Sequence, residues 1–336
     1  MVSFQVRAFR RGDRDQLTAL VNAHAQAVVP GALVSVNSVL SQLERDPGEF
    51  VVDPWVSERA TLVAEQRGRV AAAAHLLRYS SGDEVAASYR GAGEIRWLLC
   101  WPEAPFWPDS IAAGDALATA AIAVLTDWGV NRLYADGDLP AAGVYGLPEQ
   151  WPHVHAILKR AGFTPGDRTE IVFLADVSAL ERPVAPVAGP EVLRTLGVNG
   201  TRFSAVLDSH TLGYLEVDTS IGDAGRIARP ERWADIGNLH ISESHRRQGV
   251  ASWLLGVAAD WLRLGHVDRL LTYAQPEQKT YTAFLEHAGF REITRTTRGW
   301  QTHPMSGTSP STKPHDRLQP RGRSPIPQRD DVAVER

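Results

Sequence analysis

The sequence contains little sulfur and has a small net charge. Among 336 residues there is one cysteine, Cys100, which cannot form an internal disulfide or build a thiolate metal site. The formal net charge is -4 and the pI is about 6.3. This balance offers no electrostatic reason to expect nucleic acid or an anionic membrane as a partner.

Long apolar runs are also scarce. The first residues lack the apolar core of a signal peptide, and no run approaches the roughly 20 residues of a membrane span. We therefore expect a cytoplasmic protein with no membrane partner. The length favours two domains over one.

Two stretches with a similar order of strand and helix patterns flank a segment rich in Pro and Ala. We predict an N-terminal module at 1–178, a linker with little to pack at 179–190 and a C-terminal module at 191–303. Residues 304–336 lose hydrophobic periodicity, which predicts a disordered tail. The fold class is α/β, with a mixed sheet in each module.

The two modules also repeat at residue level. Lys-Arg-Ala-Gly-Phe at 159–163 recurs as Glu-His-Ala-Gly-Phe at 286–290, and an Asp-Trp pair at 127–128 recurs at 260–261. Two copies of one unit explain both matches.

The most informative segment follows a strand pattern at 235–242 and precedes an amphipathic helix pattern at 249–264. A helix N-terminus leaves amide hydrogens unpaired and carries partial positive charge, which suits a pyrophosphate. A glycine lets phosphate approach the backbone, and two arginines add cationic donors. The segment comprises Arg246, Arg247, Gln248, Gly249, Val250 and Ala251.

In this segment the sequence resembles the GNAT family of N-acetyltransferases, whose cofactor motif is Gln or Arg, two residues, Gly, one residue, then Gly or Ala. Arg246, Gly249 and Ala251 occupy those positions. The resemblance implies acetyl-CoA or another short acyl-CoA as co-substrate, with its pyrophosphate on the amides from Gln248 to Ala251. It also implies that Leu239 and Ile241 offer backbone groups to pantetheine and to the acyl carbonyl.

The resemblance extends to the tandem two-module type of the family, to which the mycothiol synthases belong. It implies transfer of an acyl group to a primary amine of a small molecule, by direct attack with a general base. Two other readings stay open, namely a non-catalytic acyl-CoA-binding or sensing protein and a tRNA-dependent aminoacyl-transferase. The missing basic excess argues against the last.

Acyl transfer needs a neutral amine, and therefore a base. Asp235, eleven residues before Arg246, lies close to the place where histone-type family members carry a base carboxylate. His240 is the second candidate because imidazole titrates near neutrality. Glu231 and Glu243 are weaker candidates, and a solvated charge at a strand end is the alternative for each.

Protonation of the departing thiolate is often assigned in this family to a tyrosine four residues before the Gly of the final Gly-Phe. Leu285 occupies that position here. Tyr281, one turn earlier, is the substitute candidate, although a packed tyrosine would look the same. No metal site is expected, since His153 and His155 have no acidic or Cys partners in the pattern.

The N-terminal copy carries a degenerate cofactor loop. Aligned with the motif, Ile111 replaces the Arg, Gly114 and Ala116 keep the small positions, and Asp115 adds a charge that would repel pyrophosphate. We therefore predict a non-catalytic N-terminal module. Four nearby aromatic residues could line an acceptor pocket, although core packing is favoured for them: Trp97, Trp101, Phe106 and Trp107.

Overall fold

The computed structural model describes residues 4–46, 54–104, 109–141, 143–186, 190–219 and 232–302. The described chain forms two compact units, each mixed α/β. The first unit contains the described residues up to 169 and from 295 to 302, and the second contains the described residues between 170 and 294.

Strands and helices follow one another in a similar order in the two halves of the described chain. The helices are α1 (Arg14–Val28), α2 (Val36–Leu43), α3 (Ser110–Asp127), α4 (Pro152–Arg160), α5 (Val250–Leu264) and α6 (Lys279–His287). The strands are β1 (Gln5–Ala8), β2 (Val56–Gln66), β3 (Arg69–Tyr79), β4 (Gly93–Cys100), β5 (Leu133–Ala135), β6 (Leu147–Pro148), β7 (Thr169–Asp176), β8 (Glu191–Gly197), β9 (Gly200–Leu207), β10 (His210–Asp218), β11 (Trp233–Ile241), β12 (Arg269–Ala274), β13 (Arg291–Thr297) and β14 (Trp300–Thr302).

The first unit is built on a sheet of order β1-β2-β3-β4-β5-β14, in which β4 and β5 are parallel. Helix α3 is long and apolar enough to cross a membrane by length and composition alone, contrary to our expectation that no run approaches this size. Its apolar character has a packing explanation, because it lies against β2, β3 and β4. Leu117, Ala121 and Leu125 are fully buried in that contact.

Two histidines of the first unit are structural. The Nδ1 of His24 donates to the Leu20 carbonyl (2.9 Å), so its Nε2 accepts from the Nε2–H of His153 (3.1 Å). Burial lowers the pKa of His24 to about 4, which keeps the ring neutral. Cys100 is buried nearby, and burial raises the pKa of its thiol to about 12. It is therefore a core residue and not a nucleophile.

The second unit contains a sheet in the order β13-β7-β12-β11-β10-β9-β8. Helix α5 packs on one face of this sheet, and its buried side chains form a core with those of β9, β10 and β11: Val250, Leu254, Ala258 and Leu262 with Phe203, Leu215, Val217 and Ile236. Strands β11 and β12 are paired in parallel, whereas the β10–β11, β9–β10, β8–β9 and β7–β12 ladders are antiparallel. The carboxyl end of β11 leads directly into the start of α5, which places the predicted motif at a strand-to-helix connection.

The last strand of each repeat belongs to the other compact unit. β7 pairs with β12 from Asp176↔Arg269 to Ile171↔Ala274, and β14 pairs with β5 from Trp300↔Ala135 to Thr302↔Leu133. The limits of the units therefore differ from the predicted module boundaries at residues 170–178 and 295–303. A strand pattern specifies a strand but not the edge with which it pairs, so the exchange is not readable from the sequence.

The segment predicted as a linker with little to pack is packed where it is described. Leu180 is buried, and Arg182 forms an ion pair with Asp260 (3.4 Å). A Cβ on Gly256 of α5 would lie 2.4 Å from the Cα of Arg182. The missing side chain at Gly256 thus creates the groove in which this segment lies, and the expectation was wrong there.

Candidate active site

The site is built where β11 separates from β12. These strands are paired only through Trp233, Ala234 and Asp235. Within the described chain, β11 has no further ladder partner on that side. A small cleft opens between the strands, lined by Ile236, Gly237, Asn238, Leu239, Thr272, Tyr273 and Tyr281.

A β-bulge lies at the point of separation. The register between β10 and β11 shifts so that Glu216 faces Asn238 while Val217 faces Ile236, which leaves Gly237 as the extra residue. A Cβ on Gly237 would lie 2.4 Å from the Cβ of Asn199. Glycine is therefore required at the bulge because the turn between β8 and β9 lies against it.

The backbone groups of Leu239 and Ile241 face the cleft side of β11. The N–H of Ser242 donates to the carbonyl of Leu212 on β10 (2.9 Å), and directly opposed pairs alternate between bonded and non-bonded along an antiparallel ladder. The pairs Leu215↔Leu239 and Gly213↔Ile241 are hence non-bonded. Their N–H and C=O groups point away from β10, so the backbone can offer the contacts predicted for pantetheine and the acyl carbonyl.

Gly249 is the N-cap of α5 and is left-handed, with φ of 86°. This conformation favours glycine. Among the described residues, a Cβ there would meet the Cβ of Pro186, at 3.5 Å, and no other atom within contact distance. No described side chain caps the helix, so the amide hydrogens of its first turn are available to an anion.

The basic side chains of the motif lie beside this helix end. Arg246 is half-buried, and its Nε donates to the carbonyl of Ile241 (3.2 Å), which ties the loop to the end of β11. Arg247 is exposed and left-handed, with φ of 59°. The Nε2 of exposed Gln248 donates to the carbonyl of Ser244 (2.8 Å). The motif therefore combines open amides with two guanidinium groups and could hold a pyrophosphate.

One of the predicted catalytic residues lines the cleft, and another lies just before it in β11. Asp235 is the last β11 residue paired with β12, two residues before the bulge, and is 3% exposed. Tyr281 of α6 lines the cleft, and its hydroxyl shares a hydrogen bond with the Oγ1 of Thr272 (2.8 Å). Thr272 gave no recognisable signal in the sequence. Leu285, in the usual tyrosine position, is fully buried in the core.

The third candidate, His240, is half-buried and stacks on Tyr214, with ring centroids 5.6 Å apart. Strand alternation puts it with Asn238 on the face opposite to Leu239, whose side chain packs in the α5 core. Of the weaker candidates, Glu243 is exposed in a 3-10 turn, and Glu231 lies outside the described residues.

The first unit repeats the bulge and the separation of strands, but its own chain closes the gap. The register shift between β3 and β4 makes Arg96 the bulge residue. The N–H of Asp136 donates to the carbonyl of Ile95 (2.9 Å), and that of Asp138 to the carbonyl of Arg96 (3.1 Å). Trp97 is fully buried and donates to Gln42, so it packs in the core. The carbonyls of the bulge residue and of the residue before it are thus engaged by residues 136 and 138 of the same unit.

The predicted correspondence between the two cofactor loops is wrong in its register. Helix α3 begins at Ser110, so Gly114 and Asp115 lie in its second turn and not at its N-terminus. A Cβ on Gly114 would meet Ile157 at 2.5 Å, and Asp115 pairs with Arg160 (2.8 Å). Both positions therefore have packing or pairing roles, and Asp115 is not aimed at a phosphate position. Trp101 is half-buried, while Phe106 and Trp107 lie outside the described residues.

Among the residues that the structure describes, no group of three or more His, Cys, Asp or Glu side chains could hold a metal ion.

Comparison with known protein families gives a match within the second half of the chain. Residues 186–290 match the family model of the acetyltransferase (GNAT) family. No curated protein sequence matches the chain. The match covers the cleft, the bulge, the motif and both α5 and α6, so the part of the chain that resembles a GNAT acetyltransferase domain is residues 186–290.

Several solved structures resemble the whole chain at low identity. One is a tandem GNAT protein from the clavulanic acid biosynthesis pathway, with 16% identity and a TM-score of 0.61 over 92% of this chain and 100% of that one. A GCN5-related N-acetyltransferase from Sphaerobacter thermophilus has 14% identity and a TM-score of 0.53 over 92% and 98%. The likeness at these identities establishes the tandem GNAT fold.

A third similar structure is the GCN5-related glucosamine N-acetyltransferase region of a fungal multi-domain GH3 β-N-acetylglucosaminidase. Identity is 13% and the TM-score 0.59, over 89% of this chain. The present chain spans 38% of the length of that protein.

Proposed function

We propose that the second unit transfers an acetyl or other short acyl group from acyl-CoA to a primary amine of a small molecule. The observation that carries the proposal is the meeting of two features at one end of β11. Backbone groups of Leu239 and Ile241 face an open cleft, and the strand then leads into an uncapped helix N-terminus at Gly249. A thioester and a pyrophosphate fit these two places in that order.

The bound acyl-CoA would supply an activated carbonyl. The N–H groups facing the cleft are placed to stabilise negative charge on the carbonyl oxygen, because such donors act strongly in a desolvated site. Amides from Gln248 to Ala251 hold the pyrophosphate, with Arg246 and Arg247 adding charge.

Proton movement is assigned to three side chains. A C–N bond forms and the C–S bond breaks, so one proton leaves the amine and one reaches the thiolate. Asp235 accepts the first, directly or through water, with His240 as the competing base. Tyr281 is proposed to donate the second, and Thr272 orients its hydroxyl.

The first unit is proposed to be non-catalytic, since the gap between its strands β4 and β5 is bridged by residues 136–138.

A non-catalytic acyl-CoA-binding role for the whole protein is the second candidate function. It is favoured by the burial of Leu285 where a thiolate-protonating tyrosine is usual in the family.

Turnover with defined amines separates these functions. The full chain is incubated with acetyl-CoA and, in turn, tyramine, tryptamine, spermidine and ethanolamine, with thiol release followed against a blank lacking amine. We expect amine-dependent CoA release above the blank with at least one amine, and a product heavier by one acetyl group by mass spectrometry. Acetyl-CoA binding without release by any amine would favour the binding protein instead.

A further inference from the structure

The face of β11 opposite to α5 carries a carboxamide whose oxygen has no partner. Asn238 donates from Nδ2 to the hydroxyl of Tyr214 (3.1 Å). Its Oδ1 is shielded from solvent and accepts no hydrogen bond from any described residue, so a ligand reaches it only when the carboxamide shifts toward the cleft. Since a buried carbonyl oxygen without a donor costs free energy, its persistence calls for an explanation beyond packing.

Neighbouring groups hold the Tyr214 ring beside Asn238. The guanidinium of Arg202 lies over the ring of Tyr214, 4.3 Å from its centroid, and its Nε donates to the fully buried carboxylate of Glu216 (2.7 Å). Glu216 also accepts from the backbone N–H groups of Val198 and Asn199. The Tyr214 hydroxyl accepts from the amide nitrogen of Asn238, which leaves the oxygen for another donor.

The position of Asn238 at the cleft indicates which reactant could donate a hydrogen bond to this oxygen. Asn238 lines the cleft beside the bulge, next to Leu239. Helix α5 and its apolar core occupy the other face of the sheet, and the edge of β11 is used by the acyl donor in the proposed function. The remaining approach to the acyl carbonyl is from the face that carries Asn238.

We propose that Oδ1 of Asn238 accepts a hydrogen bond from the attacking amine and selects primary over secondary amines. This inference rests on the proposed function. A primary amine that has attacked carries two N–H groups, so one proton passes to the base while the other stays bonded to Oδ1. A secondary amine has one N–H at that stage and cannot serve both groups.

The test uses the full chain and the amine from the four above with the highest kcat/KM, together with its N-methyl derivative. Asn238→Leu removes the oxygen at similar volume, and Asn238→Asp retains it. We expect Asn238→Leu to raise the KM for the primary amine at least tenfold. The KM for acetyl-CoA should stay within twofold of wild type, and the preference over the N-methyl amine should fall to near unity. Asn238→Asp should restore most of the preference.

A purely structural role would change the acetyl-CoA KM together with the amine KM, and that result would overturn the inference, as would an unchanged amine preference in Asn238→Leu. Should Asn238→Leu fail to fold, Asn238→Ala is judged by the same criteria. A wild-type protein that releases no CoA with any amine would contradict both the proposed function and this inference. An active wild type together with an Asn238→Leu variant of unchanged amine kinetics would contradict the inference alone.

Discussion

Asp235→Asn is expected to lower kcat for amine acetylation by about 10²- to 10⁴-fold, the usual contribution of a general base. The carboxylate is buried at the base of the separation between β11 and β12, two residues before the bulge. Asparagine has nearly the same shape but cannot accept the amine proton. Affinity for acetyl-CoA, measured by calorimetry, should therefore stay close to that of wild type.

Two further variants make this result specific. Asp218 faces Asp235 across the β10–β11 ladder, so Asp218→Asn makes the same chemical change one strand away. It should retain most of the activity. His240→Gln removes the competing base. A large loss of kcat in His240→Gln, together with a nearly normal kcat in Asp235→Asn, would identify the histidine as the general base.

Glu216→Leu is expected to lower the free energy of unfolding by about 3 kcal/mol. The fully buried carboxylate accepts from Arg202 (2.7 Å) and from the N–H groups of Val198 (3.2 Å) and Asn199 (3.1 Å). Leucine would leave all three donors without this acceptor. The expected loss is at the low end for a broken buried pair because the Arg202 side chain is 32% exposed.

Urea unfolding of the full chain measures this difference. Asp115→Leu is the comparison, because it breaks the Arg160–Asp115 pair, whose side chains are 48% and 41% exposed. That exposed pair should contribute less than about 1 kcal/mol. Equal losses of unfolding free energy in the two variants would mean that the hydrogen bonds accepted by Glu216 do not stabilise the turn between β8 and β9.

The local parts of the fold were predictable from the sequence because their signals are local. Strand alternation up to Ile241, the positively charged loop and the helical spacing after Gly249 lie within one short stretch. The structure has a strand ending at Ile241, a left-handed Gly249 and a helix starting at Val250. The roles of these residues in binding and catalysis stay predictions.

Non-local features were the ones that the sequence did not reveal. The exchange of β7 and β14 depends on which sheet edge lies nearby, and the packing of Arg182 depends on the missing side chain of Gly256. The error at Gly114 arose from equating small residues in two loops, although one of them lies inside α3. Asn238 could have been noticed, since alternation places it on the same face as His240.

The central claim is that acyl-CoA binds at the Gly249 end of α5, and calorimetric titration of acetyl-CoA tests it most directly. Gly249→Asp and Gly249→Asn both place a side chain in the open space before the helix, and both residues tolerate the left-handed backbone. Only the aspartate adds a negative charge where the pyrophosphate would lie. We expect micromolar-range binding by wild type, weaker binding by Gly249→Asn and a loss of at least roughly 100-fold in Gly249→Asp. Equal affinity in all three proteins, with each still folded, would contradict the account.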